Sequence, residues 1–202
     1  MKPQTRKEQY SEETRHAILR AGRRLFARRG YGATSVADIV GAARLTTGAL
    51  YHHFGGKLEL FRAIAENVEQ EIMNNVLASA AASGASAPYQ LLLAGIDGMI
   101  EAVSAPDVQR IAFVEAPSVL GASAWREIEN RYAYGLMHKS LEDLIVAGVV
   151  RDIPAAILAP ILLGALSEAA SVIARSKDKT EAAGAARAAI RHMLDGLAVR
   201  QH

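Results

Sequence analysis

The residues best suited to chemistry lie close together near the N-terminus, in Thr46-Thr47-Gly48-Ala49-Leu50-Tyr51-His52-His53-Phe54. Thr46 reads as the N-cap of a short helix and Thr47 as its exposed first residue. In a helix that enters the DNA major groove, such N-terminal residues reach base edges. A threonine hydroxyl can donate or accept there, and its methyl can meet a thymine methyl. Gly48 allows close approach to the groove, and Tyr51, His52 and His53 place polar tips away from Leu50 and Phe54. Lys57 opens the following helix, where its charge and the free backbone N–H groups suit a phosphate. Thr34 has the same logic one helix earlier. Thr34 and Thr46 serve equally well as plain caps, and Tyr51 as a partly buried residue. The His52-His53 pair does not read as a metal site: adjacent helical residues diverge, and no cysteine or nearby acid completes a ligand set.

These residues need a scaffold of short helices. Ile18, Ala21, Gly22, Leu25 and Phe26 recur at helical spacing, which predicts a first helix capped at Ser11 and ended by Gly30 and Gly32. Arg20, Arg23, Arg24 and Arg28 lie off that stripe. A second helix starts at Thr34 or Ser35, with Ser35 and Asp38 as a capping pair. After a turn at Ala43–Leu45, the third runs from Thr46 to Phe54, where Gly55-Gly56 breaks the chain; these two short helices, behind a basic first helix, form a helix-turn-helix pattern and make a three-helix head. A long helix then runs from Lys57 to about Leu77, joined to the head without a linker. The segment from Ala78 to Pro88 reads as a loop or frayed end. Further helices are expected near 89–103, 107–116, 122–147, 154–175 and 181–199, with Pro160 kinking the fourth of these or delaying its start.

The composition agrees with this layout. The chain has 202 residues, 50% of them hydrophobic and 5% aromatic, and is rich in helix formers, which favours an all-α fold. Without cysteine it can form neither disulfides nor thiolate metal sites, which suits the cytoplasm. The polar start, Met1 to Tyr10, lacks the apolar core of a signal peptide. The apolar run from Ile153 to Leu166 is too short to span a bilayer, so no membrane association is expected. The net charge of +2 hides an asymmetry: residues 1–60 hold eleven Lys/Arg against five Asp/Glu, a balance of +6, which leaves −4 for the rest. A basic head on an acidic body points to a polyanionic partner.

The stretch from Thr34 to Phe54, followed by Gly-Gly-Lys57-Leu-Glu-Leu60-Phe61 and preceded by Leu25-Phe26-Ala-Arg-Arg-Gly30-Tyr-Gly-Ala-Thr34, closely resembles the TetR family of transcriptional regulators. The resemblance covers roughly residues 11–61. It departs at Arg44, where the family usually has Gly in the turn; this residue either carries strain or adds a phosphate contact. The resemblance implies that Thr34, Thr47, Tyr51, His53 and Lys57 contact the DNA backbone and that the Thr46–His52 region reads bases. It also implies a head (1–56) and a helical body (57–202) that dimerises and binds an effector, about nine helices in all. The partners so implied are a palindromic double-stranded operator, a second copy of the chain and a small molecule, with no cofactor.

In the body, Arg110–Gly121, Trp125–Glu129 and Leu162–Ala170 are similar to one C-terminal type of that family. Gly164, Ala165 and Ala169, with Ile190, Met193, Leu194 and Leu197 on the last helix, form apolar, partly small-residue stripes; the resemblance implies that they build a four-helix dimer interface, and the core of one chain is the other reading. Met99, Phe113, Trp125, Tyr132, Met137 and His138 are pocket candidates, each also a reasonable core residue. Glu115 and Glu168 lie in apolar segments, where a carboxylate must meet a ligand, a backbone N–H or an arginine; His138 is another candidate partner. A helical-bundle enzyme is disfavoured, because the chain shows no phosphate-binding glycine loop, no metal-ligand spacing and no nucleophile–base pair. His138 and Ser140 fall on different helix faces. A DNA-binding protein without sequence preference, or a regulator with no small ligand, remains as an alternative.

Overall fold

The computed structural model describes residues 5–199; residues 1–4 and 200–202, at the outer ends of the two expected domains, lie outside it. The described residues are helical, and their one β-type pairing is an isolated bridge between Val150 and Ala198. The elements are α1 (Arg6–Arg29), α2 (Val36–Ala43), α3 (Thr47–Phe54), α4 (Lys57–Ala82), α5 (Pro88–Ala102), α6 (Pro106–Val108), a π-helical stretch (Gln109–Glu115), α7 (Ala116–Leu120), α8 (Ala122–Val146), α9 (Ala155–Arg175) and α10 (Lys179–Leu197). With 106–120 counted as one rod, nine helical rods result, as expected.

Local signals fix the head. The Ser35 hydroxyl accepts from the Asp38 N–H at 3.1 Å, and the Asp38 carboxylate accepts from the Ser35 N–H at 2.9 Å, a reciprocal cap for α2. The Thr46 hydroxyl accepts from the Ala49 N–H at 3.2 Å and starts α3. The first helix begins earlier than expected. Thr5, not Ser11, is its N-cap, because Thr5 has Glu8 three residues on to complete the box and Ser11 has only Thr14. Ser11 is an exposed interior residue, and Thr14 turns its hydroxyl back to the Tyr10 carbonyl.

The body departs from expectation in three places. First, α4 runs to Ala82, because Ala and Ser sustain a helix that packs closely on α5. A Cβ at Gly98 would lie 2.5 Å from Ser79 Oγ and 2.7 Å from the Asn75 carbonyl, so this approach admits only glycine. Second, the expected helix at 107–116 is longer and partly π-helical. Pro117 crowds the carbonyl one turn back and has no N–H to offer it, and the wider π turn before it relieves both. Third, Pro160 does not delay α9. The helix starts at Ala155 behind Pro154, and the Ala156 carbonyl that Pro160 cannot serve is on an exposed residue. Helix α9 is therefore longer than the apolar run in the sequence suggests. By length and composition alone it could cross a membrane, yet it packs against α8 and α10, and only about a third of its apolar window is buried.

The two regions share a core along α4. Phe26, Leu60 and Phe61 are fully buried, and Phe26, Tyr31 and Phe61 form an aromatic cluster with centroids 5.2–5.7 Å apart. Arg23 of α1 grips Glu71 of α4 at 2.6 Å and Asp107 of α6 at 2.7 Å.

Arg44 caps α2 at φ 56°, ψ 42°, the single non-glycine residue with positive φ among those described. The turn thus keeps a conformation natural to glycine, at a cost of about 1 kcal/mol for an L side chain. Arg44→Gly should raise the unfolding free energy by roughly that amount. Urea unfolding checks this, and a midpoint unchanged or lowered would show that the arginine side chain offsets the strain.

Candidate functional site

The helix-turn-helix surface is built from α2, α3 and the start of α4. Thr46, Thr47, Gly48, Tyr51 and His52 are exposed on one short helix, Arg44 is exposed in the turn before it, and His53 is half-buried. The core side of α3 is held by Leu50 and Phe54, both buried, and Arg15 of α1 lies 5.4 Å from the Phe54 ring centre. The Lys57 ammonium sits 4.0 Å from the Tyr31 ring centre, which fixes a flexible cation at the N-terminus of α4. The structure therefore brings eight of the nine sequence candidates to one surface. Thr34 is the exception: it is 1% exposed, and its hydroxyl donates to the Gly30 carbonyl at 2.8 Å. That hydroxyl is already engaged, so its side chain is removed from the candidate DNA contacts.

Among the described residues no group of three or more His, Asp or Glu is placed to hold a metal. The His52 and His53 rings lie 5.2 Å apart, edge to face, with no acid between them.

The second site is a partly open cavity of about 420 Å³ in the body, between α4, α5, the π-helical stretch, α8 and α9. Ile72, Val76, Leu92, Ile96, Met99 and Leu136 give it apolar walls. Of the expected pocket residues, Met99, Phe113 and Met137 line it; five others do not. Trp125 is buried in the core behind Glu129. Tyr132 packs on the core, and His138 faces Glu142 at 3.6 Å. Glu168 is exposed and paired with Arg175 at 2.8 Å.

Glu115 finds two of the partner types expected for it, away from the cavity. It accepts from the Tyr31 N–H at 3.1 Å and pairs with Arg110 at 2.8 Å, joining the π-helical stretch to the end of α1. Gly30 makes this latch possible: its φ is 82°, and a Cβ there would lie 2.6 Å from both Arg110 and Glu115.

The expected dimer residues divide as well. Ile190 and Leu194 are buried within the chain, Ala165, Ala169 and Leu197 are partly buried against its core, and Gly164 borders the cavity. Met193 is exposed, and so are Ile157, Ile161 and Val172 along one side of α9.

Sequence reasoning missed the cavity's polar end. Glu69 of α4 is 5% exposed and Glu129 of α8 is half-buried; both line the cavity with Ser167 of α9. Burial, and secondarily the nearby Glu129 charge, push the Glu69 carboxyl up from 4.5 to about 8. Burial raises Glu129 too, while the Ser167 hydroxyl, which donates to it at 2.8 Å, Arg126 and the Trp125 side chain pull it partly back. A signal was present in the sequence: Phe61, Ala65, Glu69, Ile72 and Val76 share one helix face, so Glu69 interrupts an apolar stripe.

A basic helix-turn-helix head fused through one continuous helix to an all-helical body with an internal cavity defines a two-domain helix-turn-helix protein. Comparison with known proteins makes the assignment more specific. Residues 18–64 match the model for bacterial regulatory proteins of the tetR family, and residues 89–197 match a tetracycline-repressor-like C-terminal domain. The chain belongs to the TetR family. The chain is 38% identical over 65 residues to the transcriptional regulator TtgR of Pseudomonas putida, 32% of this chain and 31% of that protein. The repressor BepR of Brucella suis is 33% identical over 104 residues, 50% of this chain and 48% of that one. These curated relatives are thus matched over about a third to a half of their length. A solved TetR-family structure from Pectobacterium atrosepticum is 32% identical, with a TM-score of 0.81, covering 98% of this chain and 100% of that one.

The raised Glu69 gives a pH signature. Between about pH 4.5 and 8 the folded chain holds a proton there that the unfolded chain has lost. Stability must therefore fall as pH rises through that window, by at most about 1.4 kcal/mol per pH unit from this group, and level off above it. Glu129 adds a slope of the same sign. In Glu69→Gln the slope should be markedly flatter, as read from urea midpoints between pH 5 and 8; an unchanged slope would mean that Glu69 is ionised in the folded chain.

Proposed function

We propose that this chain is a DNA-binding transcription regulator, acting as a repressor, whose hold on a palindromic operator is controlled by a small molecule in the body cavity. The observation that carries this reading is the single helix α4. Its first turn carries Lys57, one of the candidate DNA contacts, and its later turns, from Glu69 to Ala81, wall the cavity. The head (1–56) and body (57–202) meet at the Gly55-Gly56 break.

Arg44, Thr46, Thr47, Gly48, Tyr51, His52, His53 and Lys57 make up the contact surface, with base readout from the N-terminal part of α3 and phosphate contacts from its margins. Effector control runs by two routes. One is α4 itself. The other is the π-helical stretch, in which Phe113 touches the cavity and Glu115, two residues on, holds the Tyr31 N–H. An effector acts only through a difference in affinity between the two arrangements of these elements.

A homodimer supplies the second recognition helix, about one DNA turn away. The exposed stripe Ile157, Ile161 and Val172 on a largely apolar helix, with Met193 also exposed on the neighbouring α10, supports a second copy as its cover. Met193 and the small residues Gly164, Ala165 and Ala169 remain interface candidates; Ile190 and Leu194 support that face from within. Ile161→Asp should shift the protein to monomer in sedimentation and weaken operator binding. A variant that stays dimeric would place the interface elsewhere.

The function itself is tested by selecting bound duplexes from a random pool. A palindromic consensus is expected. Thr47→Ala should weaken binding to it by about 1–3 kcal/mol and relax one base position. Lys57→Ala should weaken binding to all sequences alike and reduce the salt dependence by about one counterion. Recovery of no consensus, with steep salt dependence alone, would point to a DNA-binding protein without sequence preference.

A further inference from the structure

The cavity is unevenly furnished. Its walls are largely apolar, and its charged lining residues are three acids, Glu69, Glu129 and Asp143, against one arginine, Arg126. Asp143 is exposed and already paired with Lys139 at 2.6 Å. Arg126 is itself exposed and stands beside Glu129. Ser167 donates to Glu129. Of the elements packed on α4, α5 and the π-helical stretch line the cavity with apolar groups and α8 brings Arg126, Glu129 and Asp143; α9, packed on α8, adds Ser167 to the lining. Glu69, almost wholly buried, has neither an ion pair nor a hydrogen bond to another described residue, and it borders the cavity.

We propose that the cavity takes an amphipathic organic cation, with its apolar body along α4, α5 and α8 and its one positive head between the Glu69 and Glu129 carboxyls. This rests on the reading of the cavity as the effector site and names the chemistry of the effector. A buried carboxylate without a counter-charge is costly, so the chain by itself keeps a proton on Glu69. A cation supplies the missing charge, and the Glu69 proton leaves to solvent. An anionic ligand would meet two acids with only the exposed Arg126 opposed to them. A neutral ligand fills the apolar walls without balancing either carboxylate. Recognition by charge inside an apolar chamber selects strongly, because the low-dielectric surroundings weaken the interaction far less than water does.

Three probes of one shape test this on the full-length protein: trimethyl(4-phenylbutyl)ammonium, its uncharged carbon isostere carrying a tert-butyl group, and 5-phenylpentanoate. The quaternary ammonium cannot itself titrate. Calorimetry at pH 7 in two buffers of different ionisation enthalpy should show the ammonium binding at least about tenfold tighter than either analogue, with net release of a proton. Its affinity should fall as the pH is lowered to 6. Glu69→Gln should lose the preference and the proton release while still binding the isostere. This variant keeps the shape of the protonated carboxyl but cannot ionise, and its melting curve verifies folding; Glu129→Gln, at a less buried site, is the second variant and should lose part of the preference. Equal or tighter binding of the isostere or the carboxylate would overturn the proposal, as would an intact preference in Glu69→Gln or no binding of the ammonium at millimolar concentration. Selection of a palindromic operator despite any of these results would leave the regulator standing and remove only the cation. Failure to select any DNA sequence, with the ammonium bound as expected, would do the reverse.

Discussion

The packing of α4 against α1 is the constraint on which the molecule depends. Leu60, Phe61 and Ile64 of α4 complete a core begun by Ile18, Gly22, Leu25 and Phe26. At Gly22 a Cβ would lie only 2.8 Å from the Ile64 side chain, so the two helices touch almost backbone to side chain. Because this core is close-packed, α4 cannot slide independently of the head. It turns or tilts with α1, and the recognition helix, fixed by Leu50 and Phe54 to the same core, goes with them. A shift in the cavity-lining half of α4 is thus carried to the helix-turn-helix surface.

A single rod would transmit motion loosely if the head could pivot on its end. Two polar contacts limit that pivot. Arg23 ties α1 to both Glu71 and Asp107, and Glu115 ties the Tyr31 backbone to Arg110. The second contact sits on the π-helical stretch. Its geometry is less regular than an α-helix and changes register at modest cost, and such stretches are frequent at functional sites. Phe113 and Glu115 lie on this stretch, one at the cavity and one at the head. A two-residue lever of this kind gives the helix-turn-helix a direct contact with the cavity wall, independent of α4.

The head was legible in the sequence because its determinants are local. Ser35 with Asp38 and Thr46 with the Ala49 N–H are contacts across three residues, and the positive φ at Arg44 follows from a tight turn between two short helices. Besides the N-cap of α1, which lies at Thr5 and not Ser11, Thr34 was misread and needed the third dimension: its hydroxyl is taken up by a carbonyl four residues back only because Gly30 ends α1 there. The body was legible as helices but not as a site. The lining of its cavity comes from five elements far apart in sequence, so residue type alone found Met99, Phe113 and Met137 and misplaced Trp125, Tyr132 and His138. The same limit explains Ile190 and Leu194. Their stripe on α10 was visible, but whether it faces α9 of the same chain or a second copy depends on packing no stripe encodes.

Glu69 shows what such packing can be for. A carboxyl on the apolar face of a helix is an odd choice for stability; a leucine there would bury more apolar surface and leave no polar group to satisfy. Regulation supplies a reason. An effector changes an equilibrium only by as much as it prefers one arrangement, and an aliphatic cavity offers little preference, since apolar contacts survive small changes of shape. A charge pair in a low-dielectric chamber depends far more steeply on geometry and on the exclusion of water. By holding Glu69 and Glu129 on two different helices, α4 and α8, the chain makes the affinity for a positive head depend on the distance between those helices. Since α4 is also the helix that carries Lys57, the separation that best accommodates the charge fixes the position of the DNA-binding head.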